Sequence, residues 1–169
     1  MGTHDTLMAI DPGTTESAWV KFVRGVPTAF GKDANATVLR KVGHYVGPSA
    51  QVVCEQIESY GMAVGREVFE TVRWAGRFEQ AFLGFNGSPS HACWHYLPRR
   101  AVKLEICGQP RAKDANIRQA LIDLYGGKEL AIGRKAAPGP LYGMSGDVWA
   151  ALAVGITWMR LQDSRRAAA

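Results

Sequence analysis

The chain has 169 residues, 47% of them apolar and 21% charged, with three cysteines. That is enough for one domain that buries a core without disulfide staples, too short for two full domains side by side, and too apolar for wholesale disorder. Its 20 Lys and Arg against 15 Asp and Glu leave a net charge of +5, which points to an anionic partner without identifying one.

Cys54, Cys93 and Cys107 are odd in number and form no Cys-x-x-Cys pair. The first residues, Met1-Gly2-Thr3-His4-Asp5, carry no basic segment followed by an apolar one, so no signal peptide is expected. The longest apolar stretch, Val148 to Ile156, falls far below the ~20 residues that span a bilayer. Free thiols and no export signal together predict a reducing, cytoplasmic setting.

In chain order, Thr6 to Ile10 reads as a strand entering the turn Asp11-Pro12-Gly13-Thr14-Thr15. Ser17 to Val23 and Val26 to Phe30 are two more strands joined by an Arg24-Gly25 hairpin turn, completing an antiparallel meander. A helix over Asn35 to Tyr45 is predicted to be capped by Asp33 or Asn35. Gln51 to Ile57 is a buried strand. Gly65 to Leu83 is an amphipathic helix, with Val68, Val72, Ala75, Phe78 and Phe82 on one face.

Ala92 to Leu97 is a fifth strand, on which His91, Cys93 and His95 alternate as three soft donors with no fourth in register. Helices follow over Pro98 to Ile106 and Ala112 to Tyr125, the latter ended by Gly126-Gly127. Gly126 to Tyr142 reads as a loop. Ser145 to Gln162 is a last helix, apolar almost all round and therefore packed inside, with a tail that frays from about 163. No linker splits the chain and no internal repeat appears. The expected fold is a single α/β domain over residues 1–169, a mixed sheet of three antiparallel N-terminal strands followed by parallel ones, flanked by helices.

Three acids stand out. Asp11 ends the first strand beside a glycine turn. Glu55 lies in the apolar run Val52-Val53-Cys54-Glu55-Gln56-Ile57, where a carboxylate is costly unless a cation offsets its desolvation. Asp147 begins a hydrophobic helix. Two have a ready structural reading, an Asx turn for Asp11 and a macrodipole acid for Asp147, whereas Glu55 is the hardest to dismiss because its neighbours are core residues. Converging, they would be hard oxygen ligands for Mg²⁺ or Mn²⁺.

Ala9-Ile10-Asp11-Pro12-Gly13-Thr14 resembles the opening strand and turn of RuvC-like Holliday-junction resolvases, in the RNase H-like superfamily. Val53-Cys54-Glu55-Gln56 resembles their second catalytic strand, and Ala151 to Thr157 their C-terminal catalytic helix. The order of elements agrees from about residue 6 to 160. Ser59-Tyr60-Gly61-Met62 and Lys113-Asp114-Ala115-Asn116 look like a phage or prophage branch of the group, which implies a bacterial or phage-infected cell. The resemblance implies an RNase H-like five-stranded sheet and a nuclease whose metal ligands include Asp11, Glu55 and Asp147. The helix normally offers a second acid or histidine three residues on. Here that position is Ala150, so Glu58 or Asp114 is a candidate to substitute.

The implied chemistry is phosphodiester hydrolysis with two divalent ions roughly 3.5–4 Å apart, activating water and stabilising the leaving 3′ oxygen. Residues 99–118 carry Arg99, Arg100, Lys103, Arg111, Lys113 and Arg118 against Glu105 and Asp114, a local net of +4. Such a patch suits phosphate backbones, though a solvated helix face has the same composition. Lys103 and Lys113 resemble or neighbour basic positions of the resolvases, and Tyr60 an aromatic that stacks at the junction centre. The helix over 65–83 corresponds to the family's dimer-forming element, so a two-fold homodimer on a four-way junction is implied.

Two rival readings remain. The missing ligand fits a catalytically impaired DNA-binding protein of the same fold. The Asp-x-Gly-Thr-Thr turn also occurs in actin-like ATPases and sugar kinases, but those need two such domains around a nucleotide.

Overall fold

A computed structural model of the chain describes residues 6–45, 50–59, 61, 63–86 and 93–169. Its strands are β1 (Thr6–Asp11), β2 (Glu16–Val23), β3 (Val26–Ala34), β4 (Gln51–Gln56) and β5 (Cys93–Pro98), in a five-stranded sheet of order β3-β2-β1-β4-β5. β1, β2 and β3 pair antiparallel, while β4 pairs parallel with β1 and with β5. The expected mixed sheet is thus present. Its middle strands are buried on both faces, which is why β1 and β4 read as nearly unbroken apolar runs.

Alternate residues of each strand serve two cores. Met8, Ile10, Val52 and Cys54 pack under α1 (Asn35–Gly43) and α2 (Arg66–Asn86). Leu7, Ala9, Ala18, Val20, Phe22, Val53 and Leu97 face α3 (Arg99–Cys107), α4 (Asp114–Leu124) and α6 (Val148–Ala167). Each fully buried side chain of this kind, Phe22 for example, contributes about 1.5–3 kcal/mol. Every residue of α6 from Ala151 to Trp158 is buried, as its all-round apolar sequence predicts.

Several local expectations are corrected. α1 has Ala34 at its N-cap with no side-chain cap. Asp33 instead accepts a 2.8 Å hydrogen bond from the Trp19 indole, and Asn35 turns inward. The Asn35 amide donates to the Gly13 carbonyl at 2.9 Å, its oxygen accepts from Ser17 at 2.6 Å, and the Ser17 hydroxyl accepts from the Gly13 N–H. A buried polar pair therefore pins the turn after β1. The segment read as a loop over 126–142 holds a short α5 (Lys128–Ala131) and a small antiparallel hairpin, β6 (Gly133–Arg134) with β7 (Ala137–Pro138). The tail expected to fray from about 163 stays helical to Ala167.

α2 buries Thr71, Ala75, Phe78 and Phe82, so Val72 is not on the core face as the periodicity suggested. Val72, at 48% exposure, joins Phe69 (61%) and Leu83 (37%) on an outward stripe at helical spacing. No disulfide joins Cys54, Cys93 or Cys107, and Cys54 is buried in the core under α2. Among the described residues no helix is long and apolar enough to cross a membrane.

Candidate active site

Strand register explains why Asp11 and Glu55 are neighbours. Asp11 is the last residue of β1 and faces the α6 side, two positions after Ala9. Ile10 is level with Cys54 across the parallel pair, so the next residues, Asp11 and Glu55, stand side by side at the strand ends on that same face. Asp11 is also level with Ala18 on β2, and Ala18 with Lys32 on β3. The row across the sheet therefore reads Glu55, Asp11, Ala18, Lys32. α6 runs over this face and presents Asp147 at its N-cap.

Asp147 stands at the helix start, as the macrodipole reading has it, but its side chain makes no cap hydrogen bond. Its carboxylate instead meets the Lys32 ammonium at 2.7 Å, which raises the lysine above its ordinary range. Glu55 is 5% exposed and meets its desolvation cost through Arg99, whose guanidinium donates to its two oxygens at 3.1 and 3.4 Å. Burial still holds Glu55 above the usual carboxylate range, and Arg99 works against that shift. The other arm of Arg99 reaches Asp114, the first residue of α4, at 2.6 Å.

Asp11 is bonded to no cationic side chain among the described residues. Burial first, then the neighbouring Glu55 charge, pushes its carboxyl up to about 8, while Arg99 and Lys32 pull only partly the other way. This is a place short of positive charge. Asp11, Asp114, Asp147 and Ala150 line one small cavity of about 100 Å³, with Arg99 at its edge. Glu58 is exposed beyond the end of β4 and does not line it. Hard oxygens around an under-neutralised acid suit Mg²⁺ or Mn²⁺ in donor chemistry. As they stand, no three His, Cys, Asp or Glu side chains among the described residues are close enough to share an ion. Glu55 and Asp147 direct their oxygens at Arg99 and Lys32 instead.

Two solved structures of Thermus thermophilus RuvC align with the chain almost end to end. One matches with a TM-score of 0.65 at 15% identity, over 93% of this chain and 96% of that one. The fold is that of RuvC. The other, RuvC from the same organism in complex with a Holliday junction substrate, matches with a TM-score of 0.60 at 18% identity, over 94% and 97% of the two chains. No protein-family model and no curated protein matches by sequence. At such identities the likeness resides in the backbone, and the RuvC fold is what the two chains share.

On this RuvC fold the basic residues flank the acids. Arg99, Arg100, Lys103 and Arg111 wall a cavity of about 540 Å³ between α3 and the segment leading to α4. Lys113 is the N-cap of α4 and exposed. Arg118 lies with its guanidinium 5.1 Å from the Trp149 ring centre, beside a third cavity that also involves Asp114. Tyr60 and His91 lie outside the described residues. Cys93 is exposed, and His95 pairs through Nε2 with Gln51 at 3.0 Å, so these two do not form a soft metal pair.

Sequence reasoning missed Lys32 and the link from Arg99 to Glu55. The sequence ends the third strand at Phe30, which leaves Lys32 outside it. Extending the alternation to Ala34 would have placed Lys32 on the Phe30 face. The demand of Glu55 for a cation was legible. Which cation met it was not, since Arg99 is 44 residues away in the chain.

Proposed function

We propose that the protein is a divalent-metal-dependent endonuclease that cuts branched DNA, four-way junctions foremost, as a homodimer in the cytoplasm of a bacterial or phage-infected cell. What supports this reading is Asp11 at one end of the sheet, with Glu55 and Asp147 near enough to act on it through charge, beside a cavity walled by arginine and lysine. Asp11, Glu55 and Asp147 would hold the metal once Glu55 and Asp147 are released from Arg99 and Lys32. Bound ions supply Lewis-acid activation of water and stabilisation of the leaving 3′ oxygen. Arg100, Lys103, Arg111, Lys113 and Arg118 take the phosphate backbone, fixing its position without reading sequence. Tyr60 stacks on a base near the junction centre. The products are 5′-phosphate and 3′-hydroxyl ends. The outward stripe of Phe69, Val72 and Leu83 on α2 is the dimer contact, which sets two sites against two symmetric strands.

The test is cleavage of a synthetic four-way junction beside linear duplex in Mg²⁺. Wild type is expected to cut the junction, and Asp11→Asn to bind it without cutting. Tight binding with no cleavage in Mg²⁺ or Mn²⁺ would mark a non-catalytic DNA-binding protein, the reading that Ala150 favours. DNA-independent ATP hydrolysis would point to the actin-like class.

A further inference from the structure

Arg99 sits where two requirements collide. Its guanidinium is the cation that lets Glu55 stay buried, and it occupies the oxygens that a metal ion at the strand ends would need. It does not rest on Glu55 alone, because Asp114 holds its second arm at 2.6 Å. It also lines both the acidic cavity with Asp11 and Asp147 and the basic cavity with Arg100, Lys103 and Arg111. Glu55 is nearly sealed from water, whereas Asp114 is exposed at the mouth. Letting go of Glu55 while keeping Asp114 would free that arm of the guanidinium to turn toward the basic cavity, which Arg99 already lines.

We propose that Arg99 is a latch: it competes with the divalent ion for Glu55, and on release turns on its Asp114 anchor to meet a backbone phosphate. This deepens the nuclease reading and rests on it. The ion-free protein is then held in a closed state by its own side chain. A phosphate in the basic cavity and an ion at the acids favour the same open state, so each strengthens binding of the other. The role assigned to Arg99 is positioning. It decides when Glu55 is free.

The latch is tested by Mn²⁺ affinity without DNA, by calorimetry or electron paramagnetic resonance at pH 8.5, in wild type, Arg99→Gln, Arg99→Lys and Lys103→Gln. Lys103 lies near enough to Glu55 to act on it through charge and makes no bond to it. Its variant therefore reports the effect of losing one positive charge alone. If the latch is closed about nine-tenths of the time, Arg99→Gln tightens Mn²⁺ binding roughly tenfold, well beyond Lys103→Gln. Arg99→Lys keeps the charge but lacks the planar fork that engages both Glu55 oxygens and Asp114 together, so it also tightens binding, and it covers the case in which the Gln variant folds poorly. An affinity in the Arg99 variants no higher than in Lys103→Gln overturns the latch and leaves the nuclease reading standing. Failure of wild type and every variant to bind Mn²⁺ overturns the metal-dependent reading itself, and the latch with it.

Discussion

Asp11 is where the electrostatic tension of the site collects, and it makes a pH signature. Its carboxyl titrates near 8 in the folded chain and near 3.8 when free of its surroundings. Between those values the folded state holds a proton that the unfolded state releases, so Asp11 lowers stability as pH rises from about 4 to 8. Asp11→Asn cannot ionise. In chelator, its melting temperature should match wild type near pH 4, rise above it through neutral pH and hold a constant gap beyond about 8. Added Mg²⁺ should shrink that gap by stabilising only wild type. A gap that is the same at every pH would mean the carboxyl is not strained by its neighbours. Burial raises Glu55 as well, but there the Arg99 guanidinium in contact works against the shift.

At the scale of elements, α6 is the part that brings Asp147 to the strand ends, and it does so by lying very close to the sheet. A Cβ placed on Gly155 would stand 2.3 Å from the Phe22 ring and 3.1 Å from Ala9. Gly155 is thus needed for approach, even though glycine weakens a helix interior. Gly155→Ala should cost about 1–3 kcal/mol in urea unfolding through overpacking, and should lower metal affinity as Asp147 moves away from Asp11. A neutral or stabilising result would show that Phe22 yields without shifting the helix. Helix existence was readable for α2, α3 and α4 because their apolar spacing is regular, and for α6 because its apolar run is too long for a strand. α5 and the β6–β7 hairpin were not, because segments of four and two residues carry too little periodicity to register. The cap of α1 was misread for a related reason. Asn is a good N-cap in isolation, but Asn35 gains more by bonding Gly13 and Ser17 in the buried turn.

For the whole molecule, charge and the apolar stripe on α2 make separate predictions. Phe69→Glu and Val72→Glu alter exposed side chains, so they should leave the melting temperature within a degree or two while turning a dimer into a monomer in sedimentation. Junction cutting should then lose its paired incisions. A wild-type chain that sediments as a monomer at micromolar concentration and in the presence of a junction would remove the dimer from the proposal.

The sequence by itself determined the order and type of the main elements, the burial of β4, the all-round burial of α6, and the three acids that such surroundings make conspicuous. These are local facts, written in periodicity and in charge set against apolar neighbours. Only the tertiary structure decided which cations answer those acids, that Lys32 takes Asp147 and Arg99 ties Glu55 to Asp114, and that Val72 faces out. Such pairings join residues far apart in the chain. They depend on strand register and helix placement, where a shift of one residue sends a side chain to the opposite face.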